Sequence, residues 1–60
     1  MRKLEMAKRL TRALYYQLPS DFDLNKIPDE HIEVRGYMGL SKPELQLKVD
    51  NLAIEGGNDE

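Results

Sequence analysis

Residues 2–18 contain no Gly and no Pro, are dominated by Lys, Leu, Met, Ala and Arg, and run up against Pro19. Such a segment favours a helix strongly. Pro19 sets its limit, because the residue before a proline is pushed out of the right-handed helical region. Placed at about 100° per residue, Leu4, Met6, Ala7, Leu10, Ala13, Leu14, Tyr15 and Leu18 fall on one broad arc. Arg2, Glu5, Lys8, Arg9, Arg12 and Tyr16 fall on the other. The apolar arc covers about half the circumference, wider than the ~100° stripe of an ordinary surface helix. One short element cannot cover it, so the sequence predicts a second contact, with another copy of the helix or with another protein.

The size of the chain points the same way. At 60 residues there is room for one small domain, and a domain of that length buries only about 60% of the surface its unfolded chain exposes. Small domains make up the deficit with disulfides, metals or oligomerisation. There is no Cys and a single His, which leaves self-association or a partner protein as the expected route. No segment approaches the roughly 20 consecutive apolar residues of a membrane-spanning helix. The basic start, Arg2-Lys3, is not followed by an apolar signal core, so the expected compartment is the cytoplasm.

Charge is unevenly spread. Residues 1–18 carry five basic side chains against Glu5, a net of +4, while residues 19–60 carry four against ten acids, a net of −6. A formal charge of −2 therefore hides a dipolar chain, a pattern that suits a polyanion-binding end or head-to-tail association.

Beyond the helix, residues 19–30 read as a connector, with Ser20 and Asp23 placed to cap a short turn and Phe22, Leu24 and Ile27 placed to pin it to the core. His31-Ile32-Glu33-Val34-Arg35 alternates strictly and reads as a strand over 31–37. Residues 41–55 support two readings. Ser41-Lys42-Pro43-Glu44 has the form of a helix capping box and Gly56 suits a helix C-cap. Against this, Leu45, Leu47 and Val49 alternate with Gln46, Lys48 and Asp50, and strands over 44–50 and 52–55 leave fewer apolar side chains exposed. The preferred fold is therefore α+β, a long N-terminal helix on a small antiparallel hairpin or three-stranded meander. The alternative is all-α, two helices joined by a loop. Residues 56–60 read as a flexible acidic tail.

Motifs for chemistry are scarce. His31 lies among Asp29, Glu30 and Glu33 but lacks a nucleophile, since Ser20 and Ser41 sit at expected caps. Asp21, Asp23 and Asn25 have the opening spacing of a calcium loop, which then fails at Lys26 and Ile32. Gly36 and Gly39 lack the third Gly and the Lys of a phosphate loop. No enzyme, metal site or cofactor is expected.

Two surfaces remain. Leu4, Leu10, Leu14, Tyr15, Tyr37 and Met38 are candidates for an apolar partner surface, Tyr and Met being common at interfaces. The expected function is a non-catalytic interaction module, a homodimeric regulator, inhibitor or assembly adaptor acting on a larger protein. Its acids Asp21, Asp23, Asp29, Glu30 and Glu33 suit a basic partner surface, and its size and composition suit accessory proteins of phages or mobile elements. The alternative is a nucleic-acid-binding regulator using Arg2, Lys8, Arg9, Arg12 and Tyr16 to meet phosphates and stack on a base. A membrane-surface role fits less well, because the apolar arc is needed as core and Trp is absent.

Overall fold

Helix-forming segments separated by Pro19, Pro28 and the Gly39-Leu40-Ser41 bend place three helices along the chain. The computed structural model describes residues 2–57, with side chains through Leu52. Helix α1 spans Lys3–Leu10 and continues into a π-helical turn over Thr11–Tyr15. A single 3-10 turn, Leu24–Lys26, interrupts the connector. Helix α2 spans Ile32–Met38 and α3 spans Lys42–Gly57.

The first helix lies between the other two and packs against both. Met6 and Leu10 meet Leu45 in one buried cluster, with Leu40, Val49 and Leu52 around it. Ala7 meets Ile27 and Val34 in a second, with Leu4, Phe22, Leu24 and Met38 around it. Tyr37 packs against both clusters and joins them. The radius of gyration is 11.0 Å, close to the ~10 Å expected of a compact chain this long.

The α+β expectation is overturned: among the described residues there is no strand, and the all-helical alternative holds in class, with three helices instead of two. Two short windows explain the difference. In a strand over 31–37, Ile32 and Val34 would share one face. Instead Val34 is fully buried while Ile32 is 76% exposed, and the inward set is Val34, Tyr37 and Met38, spaced by three and four as a helix requires. His31 starts this helix, its Nδ1 accepting the Glu33 backbone N–H at 3.1 Å.

The expected strands 44–50 and 52–55 both lie inside α3. The Ser41 hydroxyl caps it, accepting the Glu44 N–H at 3.4 Å. Leu45, Val49 and Leu52 face α1, and Leu47 is left 60% exposed. The strand reading gained its preference by hiding Leu47, which the protein in fact exposes. Helix α3 passes through Gly56, and the expected acidic tail lies in part (58–60) outside the described residues.

The single helix expected over 2–18 also changes character at Thr11. The Thr11 hydroxyl donates to the Ala7 carbonyl at 2.9 Å, in competition with the helix ladder. From there the backbone widens, the Tyr16 N–H reaching back to the Thr11 carbonyl at 3.0 Å. The helix then ends ahead of Pro19, at Gln17, whose φ of 55° is left-handed. The Leu18 N–H closes the end on the Arg12 carbonyl at 2.9 Å, a π-widened form of a common helix terminus.

Candidate functional site

The unsheltered part of the apolar arc is confined to this widened turn. Along α1 proper, Met6, Ala7 and Leu10 are fully covered. Past Thr11, Leu14 and Tyr15 are 51% and 53% exposed, and Tyr16 beside them is 40% exposed. Both tyrosines are positioned by the loop ahead of α2. Their rings meet edge-on at 5.0 Å, and each meets His31, Tyr15 at 5.1 Å and Tyr16 at 5.3 Å. Such tilted contacts are favoured by aromatic quadrupoles. His31 is itself fixed by its cap bond to Glu33. Ile32, the residue after His31, is 76% exposed.

The remaining candidate partner residues are drawn inward. Leu10 is wholly buried, Leu4 and Met38 flank the Ala7 cluster, and Tyr37 joins the two clusters. Burial, and after it the charge of Glu33, holds the Tyr37 phenol above its usual pKa of 10.0.

The basic face is divided as well. Lys8 is mostly buried and pairs with Asp29. Arg12 is only 8% exposed, its Nη1 donating to the Phe22 carbonyl at 3.1 Å. These two side chains therefore tie α1 to the connector. Arg2 is exposed and Arg9 half-exposed, the latter 3.5 Å from Glu5, a solvent-screened pair of little energetic weight. Among the acids, Asp23 caps the 3-10 turn by accepting the Asn25 N–H at 2.9 Å. Among the described residues no three His, Cys, Asp or Glu side chains are grouped to hold a metal ion, and no helix is long and apolar enough to cross a membrane.

Sequence reasoning missed Ile32 and Leu47 as surface residues and His31 as the support of the tyrosine pair. The spacing of Val34, Tyr37 and Met38 was the available signal. Chemically the exposed tyrosine pair offers an aromatic-edged surface. Comparison with known proteins gives no guide: no family model, no curated protein and no solved structure matches the chain.

Proposed function

We propose that the chain is a non-catalytic interaction module that pairs with a second copy of itself through Leu14, Tyr15, Tyr16 and Ile32. In that form it regulates, inhibits or helps assemble a larger cytoplasmic protein. One observation carries the reading: the two core clusters close without these side chains, which remain 40–76% exposed. Large apolar groups gathered on a small surface mark binding sites. None of these four side chains is charged, so they can meet their own copies across a two-fold axis without like-charge repulsion between them. The nucleic-acid reading has less support, because Lys8 and Arg12 are engaged within the molecule.

Sedimentation of a dilution series tests the proposal. The parent should pass from dimer to monomer with falling concentration, with a parallel fall in melting temperature. Tyr15→Glu, which alters an exposed residue, should stay folded and monomeric throughout. A parent that is monomeric at every concentration refutes the pairing.

A further inference from the structure

A cleft of about 430 Å3 lies between the end of α1 and α3 and shares no residue with the tyrosine patch. Its volume is in the range of small-molecule sites. Ala13 and Leu18 form one apolar wall, Val49 and Leu52 the other, and Arg9 and Arg12 line it as well. All four apolar residues are half-buried.

The two arginines are short of acceptors. Arg12 is more than nine-tenths buried. Its one side-chain hydrogen bond among the described residues uses Nη1, out of five N–H donors on the group. The Arg9 Nε is shut off from solvent without an acceptor, and the Arg9 Nη2 reaches Glu5 only at 3.5 Å. A buried donor left unpaired is costly, more so on a charged group. By contrast, a second cleft of about 470 Å3 holds Arg2 and Lys8 together with Glu5 and Asp23, two cations with two carboxylates.

We propose that the Arg9–Arg12 cleft binds an aliphatic carboxylate. The carboxylate accepts from the two guanidinium groups, whose paired donors match its geometry, and the hydrocarbon lies along Val49, Leu52, Ala13 and Leu18. The cleft residues are two cations, four apolar side chains and Ser20, with no carboxylate among them, which favours an anion carrying a hydrocarbon chain. A medium-chain fatty acid and the apolar C-terminal residue of a partner protein share this chemistry.

Titration followed by NMR separates the two sources. The probes are octanoate and N-acetyl-valyl-leucine, with octan-1-ol and the dipeptide amide as uncharged matches. The expected result is saturable shifts of the Val49 and Leu52 methyls and the Arg9 Nε–H with at least one acid. Binding of the matching neutral compound should be at least about tenfold weaker, the loss of one charged hydrogen bond. Response to octanoate alone assigns the site to a free acid, and response to the dipeptide alone assigns it to a chain terminus. Arg9→Gln should weaken binding about tenfold. Ser20→Glu, at an exposed residue lining the cleft, should block binding in a folded protein by placing a competing carboxylate there. Absence of saturable shifts with both acids, equal binding of acid and neutral forms, or unimpaired binding by Ser20→Glu overturns the proposal.

Discussion

Replacing Gln17 by Gly removes a Cβ from a residue held at φ 55°. In that left-handed region the Cβ crowds the following carbonyl and costs about 1–2 kcal/mol. Glycine escapes this cost but gives back about 0.5–1 kcal/mol through its freer unfolded chain. The Gln17 side chain is exposed and makes no hydrogen bond among the described residues, so little else changes. The terminus itself is held by the backbone bond from Leu18 to Arg12 at 2.9 Å, which glycine retains. The net expectation is a gain of about 0.5–1 kcal/mol, or about 5 °C in melting temperature for a domain of this size. Melts followed by the helical circular dichroism signal must be run at one protein concentration, because self-association shifts Tm. A urea series should show a higher midpoint with the slope unchanged. Gln17→Val supplies the opposite sign, since a β-branched residue tolerates left-handed backbone poorly, and should cost about 1 kcal/mol. A Gly variant that melts lower than the parent, or Gly and Val variants that shift together, would refute the idea that residue 17 closes the helix under strain.

His31→Ala should cost about 1–2 kcal/mol in urea unfolding, through the lost cap and the lost ring contacts, with Asn restoring the cap share; equal losses for Ala and Asn would rule out capping. Lys8→Met should stay within about 1 kcal/mol of the parent, because the apolar stem is replaced and Asp29, at 60% side-chain exposure, remains solvated; a loss above ~3 kcal/mol would contradict this. Leu45→Ala, at a fully buried site against Met6 and Leu10, should cost about 2–5 kcal/mol and leave most of the chain unfolded, as judged by circular dichroism. For Tyr37, the unfolded phenol ionises near 10.0 and the folded one at higher pH. Its share of stability is therefore whole below pH 10 and is lost as pH rises through the folded value; Tyr37→Phe should lessen the alkaline loss, and a variant as alkali-sensitive as the parent counts against the assignment.

What residues 2–18 settle alone is a helical beginning with excess apolar girth, since a run free of Gly and Pro with apolar residues at three and four has no good alternative. The Ser41–Glu44 box likewise marked a helix start correctly, although alternation at Leu45, Leu47 and Val49 outweighed it. What only tertiary packing decided was the period of residues 31–35 and 44–50. Over five to seven residues an alternating pattern and a helical one place nearly the same side chains inward, and the tie is broken by what lies opposite. Helix α1 presents Met6, Ala7 and Leu10, which Val34, Tyr37, Leu45 and Val49 cover at helical spacing, so Ile32 and Leu47 are left in water. Packing also decided the fate of the basic face. A charge on a helical wheel reads as solvated until another segment crosses it, and here Phe22 and Asp29 of the connector meet Arg12 and Lys8. Burial is a property of pairs of elements, and one strip of sequence specifies only its own half of each pair.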